Sequence, residues 1–213
     1  MDALYADRSA AGRALAAALL RDELGTGAVV LGLPRGGVPV AAEVAVALGV
    51  PLDVLVVRKL GVPGHEELAM GAVASGDVRV LDERVLREAG VDDEAITEVT
   101  RREREEVERQ GAVFRGERPP LELRDMRAIL IDDGLATGST MLAAVRAVRE
   151  MEAASVVVAV PVGSAQAVDL VTGEADVVVC LEVPDPFVAV GAWYERFGAV
   201  DDDEVRRLLG AQA

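Results

Sequence analysis

Short apolar runs alternate with amphipathic stretches along most of the 213 residues. Residues 28–33, 52–57, 127–132, 155–160 and 176–181 are dense in Val, Ile, Leu and Ala and are bounded by Gly, Pro or charged residues. Runs of that length without polar alternation predict strands buried on both faces. Between them, helices are predicted over 8–24 (stopped by Gly25), 39–48 (closed by Gly49), 141 to about 151, and 164–171. Residues 68–74 and 78–81 read as the two arms of a hairpin. Strands alternating with helices predict an α/β fold, a mainly parallel twisted sheet flanked by helices. No internal repeat or low-complexity linker breaks the pattern, so residues 1–213 are expected to form a single domain.

Two segments stand outside that alternation. Residues 82–120 form a helical insertion whose opposite charges recur at helical spacing, for example Glu98 with Arg102 and Glu105 with Arg109. Its apolar stripe is thin: Ile96, Val99 and Val107. The charge pattern favours a solvated surface helix. Its place between two loops that should face one site makes a lid the other reading. Residues 182–213 gather Phe187, Trp193, Tyr194 and Phe197, four of the six aromatics, and then start a terminal helix with acids in its first turn.

Composition narrows the class. Hydrophobic residues make up 51% and aromatics 3%, so small aliphatics fill the core. No apolar run is long enough to cross a bilayer, and the N-terminus lacks a basic-then-apolar leader, which predicts a cytoplasmic protein with no membrane partner. One cysteine, Cys180, forbids an internal disulfide and reads as a small buried hydrophobe. His65, the single histidine, excludes a catalytic triad or His-rich metal site and reads as a loop residue. A formal net charge of −15 argues against nucleic-acid binding, which needs clustered Lys and Arg.

Residues 128–140, AILIDDGLATGST, carry the chemistry. A buried strand runs into two adjacent carboxylates, Asp132 and Asp133. The loop of Gly134, Leu135, Ala136, Thr137, Gly138, Ser139 and Thr140 then leads onto a helix. Loop amides and the helix N-terminus favour a phosphate. Paired carboxylates beside it accept hydrogen bonds from vicinal hydroxyls. Together they suit a phosphorylated sugar. A Walker A loop fits worse, since Gly134 to Gly138 is one residue short and no Lys follows. The chain has no dinucleotide fingerprint. The bland alternative is a strand–turn–helix with acids at the helix start.

The segment resembles the phosphoribosyl pyrophosphate (PRPP) motif of the type I phosphoribosyltransferases: four apolar residues, two acids, then a small-residue loop ending in Thr-Gly-x-Thr. It is most similar to the adenine-type version, with Ala136 where hypoxanthine-type enzymes carry an Asp thought to meet the base. The resemblance extends from about residue 32 to 181. It implies that residues 137–140 anchor the 5′-phosphate and that Asp132 and Asp133 hold the ribose hydroxyls. In GLPRGGVPVA, residues 32–41, it gives Arg35, Gly36 and Gly37 to the pyrophosphate. It likewise implies a pyrophosphate or base-side role for Arg58 and Lys59, read as closing the strand 52–57, and a mobile closing loop over 60–71. Read as residues alone, these are a tight turn onto a helix and a pair of solvated strand-end charges.

Glu66 and Glu67 on that loop are candidates for the base side. The family's small hood over the acceptor is matched to 182–213 together with the N-terminal helix. Phe187 and Trp193 are its stacking candidates, although Trp193 reads more readily as packing. The implied cofactor is Mg²⁺, held mainly through the substrate, with Asp132 and Asp133 as alternative ligands; it would also reconcile a polyanionic substrate with the negative chain. The implied reaction transfers the 5-phosphoribosyl group of PRPP to a small-molecule acceptor, a nucleobase by analogy with salvage enzymes. A PRPP- or nucleotide-sensing regulator on the same fold is the main alternative. A phosphohydrolase would need a D-x-D nucleophile pattern that residues 132–133 lack. Oligomeric state stays open, with a homodimer the commonest assembly.

Overall fold

The computed structural model describes residues 3–119 and 121–211. Residue 120, at the end of the expected insertion, lies outside the described residues, as do 212–213 of the hood segment and 1–2 of the expected single domain. In chain order the elements are α1 (Arg8–Arg21), β1 (Ala28–Gly32), α2 (Gly37–Leu48), β2 (Leu52–Val54), β3 (Val57–Val62), β4 (His65–Ala74) and β5 (Val78–Leu81). They continue with α3 (Glu83–Ala89), α4 (Asp93–Arg115), β6 (Arg127–Ile131), α5 (Ser139–Glu150), β7 (Ser155–Val162), α6 (Ala165–Thr172) and β8 (Val177–Glu182). A 3-10 turn (Val190–Trp193) and α7 (Asp202–Gly210) complete the chain.

Five strands form a parallel sheet in the order β2-β1-β6-β7-β8. Their side chains alternate between two cores, as the period of a strand dictates. Val30, Ile129, Ile131, Val157 and Ala159 face the core shared with α1, α2, α4 and α7. Val29, Leu31, Ala128, Leu130, Val156 and Val158 face the core under α5 and α6. Burial on both faces explains why these strands read as unbroken apolar runs. Among the described residues, no helix is long and apolar enough to cross a membrane.

The sheet differs from expectation at one edge. The apolar run 52–57 is not one strand: β2 ends at Val54, and after Leu55 and Val56 the chain enters a second sheet. That sheet is antiparallel, in the order β3-β4-β5. Arg58 and Lys59 therefore lie within β3 rather than at the carboxyl end of a parallel strand. Leu55 and Val56 are both buried, one in each core. An apolar run carries no period to mark such a change of sheet.

The closing loop expected over 60–71 is instead the β3–β4 hairpin, turning at Pro63–Gly64 with Gly64 at φ +77°. The predicted hairpin of 68–74 with 78–81 is present as β4 and β5, Ala74 opposite Val78.

The insertion is two helices. The N-cap carboxylate of Asp82 accepts from Arg84 and Val85 N–H, and Asp92 accepts from Ala95 N–H. Helix α4 buries Phe114 as well as Ile96, Val99 and Val107, so it is docked along its length. Within the helix, Arg101 pairs with Glu98 and Glu105, Arg102 with Glu103, and Arg109 with Glu106. These replace the expected pairings of Glu98 with Arg102 and Glu105 with Arg109, because Arg101 reaches carboxylates on both sides of it.

Candidate functional site

The carboxyl end of the parallel sheet gathers two helix N-termini that differ from the rest. Five helices begin with a side-chain cap: Asp7 for α1, Asp82 for α3, Asp92 for α4, Ser164 for α6 and Asp201 for α7. Helices α2 and α5 begin at Gly36 and Gly138 with no side-chain cap. A helix start leaves amide donors without intrahelical partners, and an anion can take them. The loop before α5 is held in place from below. Leu135 N–H donates to Val162 O at 2.9 Å, Ser164 N–H donates to Leu135 O at 2.9 Å, and the Ser164 hydroxyl donates to Ala136 O at 2.7 Å. Gly138 then turns at φ +77°, which favours glycine. Ala136, Thr137 and Thr140 are left exposed, with Ser139 partly so.

Asp132 and Asp133 leave the end of β6 between these two helix starts. Asp133 N–H donates to Asp132 Oδ1 at 2.9 Å. A Cβ on Gly37 would lie 2.5 Å from Ile131 O, and one on Gly36 would overlap Asp133 Oδ2. The two glycines thus let the α2 turn close directly onto the acids. Burial pushes Asp132 well above the usual carboxylate range, and the neighbouring Asp133 charge adds to it. Asp133 is also raised by burial, opposed by the guanidinium of Arg8. Arg8 Nε donates to Asp133 Oδ2 at 2.8 Å, and Nη1 donates to Gly198 O at 2.7 Å. The same guanidinium lies 3.9 Å from the centre of the Phe197 ring.

Tyr194 completes this corner. Its hydroxyl donates to Asp133 O at 2.6 Å, and its ring packs between Tyr5, at 5.7 Å, and Phe197, at 5.0 Å. Burial raises the Tyr194 phenol strongly, so it stays protonated as a donor. Tyr5 donates to Pro161 O at 3.0 Å, and burial pushes its phenol up to about 12. The C-terminal segment reaches the acid loop through Val190, whose Cγ1 would lie 2.5 Å from a Cβ on Gly134. N-terminal and C-terminal segments therefore meet at the acid loop.

The expected base-side aromatics lie in one cluster but differ in exposure. Phe187 is half-buried against the cluster of Trp193 and Tyr194. Trp193 is 5% exposed and packs with Ala11 and Val162, so its ring offers no open stacking face. Cys180 is only partly buried because β8 is an edge strand, and burial lifts its thiol to about 11.

The cations line a cleft whose lining residues include Thr140 of the α5 start but neither Asp132 nor Asp133. One cavity of about 180 Å³ is bounded by Leu33, Arg35, Leu55, Arg58, Gln110 and Thr140. A second, of about 350 Å³, adjoins it through Arg58 and Thr140 and adds Lys59, Glu66, Glu67, Arg102 and Glu103. Residues 103, 110 and 114 follow helical spacing, so one face of α4 roofs the cleft while the opposite face stays solvated. Three of the cations are already paired. Arg102 Nε meets Glu103 Oε1 at 3.1 Å. Arg35 Nε meets Asp202 Oδ1 at 2.7 Å, and Arg58 Nε meets Glu103 Oε2 at 3.0 Å.

No group of three or more His, Cys, Asp or Glu side chains suited to a metal occurs among the described residues. Two carboxylates suit Mg²⁺ only as a minority of its ligands, with phosphate and water oxygens supplying the others.

Sequence reasoning missed Arg8, Tyr194, Tyr5 and Phe197 as parts of this corner. Arg8 did leave a signal. It is the first residue of α1, where the helix dipole disfavours a cation, so its charge needed a partner elsewhere.

Residues 2–195 match the family model described as phosphoribosyl transferase domain. Two Mycobacterium tuberculosis proteins, from strains H37Rv and CDC 1551 and provisionally named phosphoribosyl transferases, are each 48% identical over 206 residues. Those matches take in 97% of this chain and 46% of each relative, so the chain spans about half the length of the curated relatives it matches. The crystal structure of TT1426 from Thermus thermophilus is similar throughout, with a TM-score of 0.90 at 44% identity, covering 98% of this chain and 99% of that one.

Proposed function

The chain belongs to the phosphoribosyl transferase domain family, and from that premise we propose that it transfers a 5-phosphoribosyl group from PRPP to a small acceptor, releasing pyrophosphate. The observation that carries this reading is the placement of the twin acids between two glycine-started, uncapped helices at one sheet end. The start of α5, with Thr137, Gly138, Ser139 and Thr140, would take the 5′-phosphate through amide and hydroxyl donors. Asp132 and Asp133 would accept from the ribose hydroxyls and stabilise the positive ring as it forms. Arg35, Lys59 and Arg58 would hold the departing pyrophosphate, with Gly36 and Gly37 letting backbone amides approach it. Mg²⁺, when bound, supplies charge neutralisation on the pyrophosphate oxygens.

Chemically, the C1′–O bond to pyrophosphate breaks as a bond from C1′ to the acceptor forms with inversion. The acceptor's proton would pass to a hairpin carboxylate, Glu66 or Glu67, both of which line the cleft. Little covalent help is needed, so positioning and exclusion of water dominate. The roof of α4 and the β3–β4 hairpin are suited to that exclusion. A nucleobase is the acceptor class favoured, with half-buried Phe187 on its side; this would make the activity one of nucleotide salvage. The second reading, a PRPP or nucleotide sensor, draws support from the ion pairs that already occupy Arg35 and Arg58.

One experiment separates them: incubate the protein with PRPP, Mg²⁺ and a panel of nucleobases, and read pyrophosphate. Release that depends on one base supports transfer. Saturable PRPP binding with no release under any base supports sensing, and absence of PRPP binding overturns both.

A further inference from the structure

Arg8 is an odd residue to find at the start of a helix. A cation in the first turn opposes the dipole, and α1 already has its cap from Asp7. The guanidinium is nevertheless fixed from three sides. It donates to Asp133 Oδ2 and to Gly198 O, and it rests on the face of Phe197. Its side chain keeps only 13% of its exposure. Asp133 is held just as firmly. Its carbonyl accepts from the Tyr194 hydroxyl, and its Oδ2 is pressed against Gly36, where no Cβ would fit. Among the described hydrogen bonds, no side chain other than Arg8 donates to the Asp133 carboxylate. Of the two carboxylate oxygens, Oδ2 is engaged by Arg8, and Oδ1 takes no side-chain donor among the described hydrogen bonds.

We infer that Arg8 is a positioning residue: by engaging one oxygen of Asp133 it fixes the carboxylate plane so that the other is presented to the ribose diol. This rests on the proposed function, because the diol is the ligand that reading places there. Arg8 itself need not touch the sugar. Its effect passes through Asp133, and it ties the hood residues Phe197 and Gly198 to the donor half of the site. The opposite role has the opposite sign: an arginine that merely plugs the corner would be displaced by the sugar, and removing it would tighten binding.

The test is calorimetric titration with two probes, ribose 5-phosphate and inorganic pyrophosphate with Mg²⁺, on the wild type and on Arg8→Met and Arg8→Lys. Methionine keeps the stem over Phe197 but offers no donor. Loss of a charged hydrogen bond predicts roughly tenfold weaker ribose 5-phosphate binding in Arg8→Met. Arg8→Lys is expected to recover part of it, and pyrophosphate affinity to stay within about twofold, as a control on general damage. Unchanged or tighter ribose 5-phosphate binding overturns the inference, and so does an equal loss for both probes. If Arg8→Met does not fold, Phe197→Leu decides, since it unseats the guanidinium without removing its charge: selective loss of ribose 5-phosphate affinity supports the role and no change refutes it. A wild type that binds pyrophosphate but not ribose 5-phosphate would bring down the diol assignment itself, and the inference with it.

Discussion

At the scale of single residues the site trades stability for readiness. Asp132 is half-buried beside a second carboxylate, and no basic side chain donates to it among the described hydrogen bonds. Its folded-state pKa is raised above the unfolded value, so the folded protein binds more protons across the interval between the two. Stability therefore falls as pH rises through that interval and stays lower above it. Asp132→Asn keeps the Oδ1 that accepts from Asp133 N–H and removes the charge. We expect the ligand-free variant to melt a few degrees higher at pH 7–8, with the gain vanishing toward acid pH, and to lose ribose 5-phosphate binding. Differential scanning calorimetry from pH 4 to 8 checks the sign; a variant less stable than wild type at pH 8 contradicts the account. The acids themselves were legible in the sequence, because a strand, two carboxylates and a glycine-bearing loop lie within thirteen residues. Their partner Arg8 was not, since it is 125 residues away from Asp133 and no local pattern joins them.

Among the elements, α4 and α7 hold two of the three arginines that line the cleft, Arg58 and Arg35, in ion pairs. Glu103 of α4 is charged against Arg58, and Asp202 of α7 against Arg35. An incoming pyrophosphate must compete with both carboxylates. Glu103→Gln should therefore tighten pyrophosphate binding, by roughly two- to fivefold for a partly exposed pair, and the gain should shrink as salt is added. Isothermal titration at two ionic strengths measures it, and weaker binding in the variant would assign Glu103 to the ligand side instead.

The roof itself is anchored at its far end. Arg115 Nε and Nη2 meet Asp53 Oδ1 and Oδ2, both at 2.9 Å, across the edge strand β2. Arg115→Met leaves that carboxylate buried and unpaired, and should cost about 3 kcal/mol in urea denaturation. Charge periodicity made α4 legible as a helix and favoured a solvated one; only its place between two loops raised the lid as the other reading. The buried face of α4 is narrow, and Phe114, which closes the stripe, sits beyond the charged run. The break between β2 and β3 was illegible for a different reason: the apolar run continues unbroken across a change of sheet.

For the molecule as a whole, alternation of strands and helices was enough to foresee the parallel sheet, because burial on both faces writes itself into composition. The assembly of the corner was not foreseeable. It joins the start of α1, the start of α2, the end of β6 and the segment after β8, which only the folded topology brings together. That corner works inside a chain of formal net charge −15. On the proposed reading, a free polyanion would approach against the far field and be captured only within reach of Arg35, Arg58, Lys59 and the two open helix starts. Added salt screens the far field more than the contacts, since the Debye length shrinks to about 10 Å at 0.1 M. The association rate for magnesium-free pyrophosphate should therefore rise with ionic strength from 10 to about 100 mM, opposite to the behaviour of nucleic-acid binders. Prior saturation with Mg²⁺ lowers the charge on the ligand and should flatten that slope. Stopped-flow association with and without Mg²⁺ tests both signs: a rate that falls with salt would mean that the local cations govern approach from beyond the cleft, and the acidic surface would lose its part in selecting metal-bound ligand.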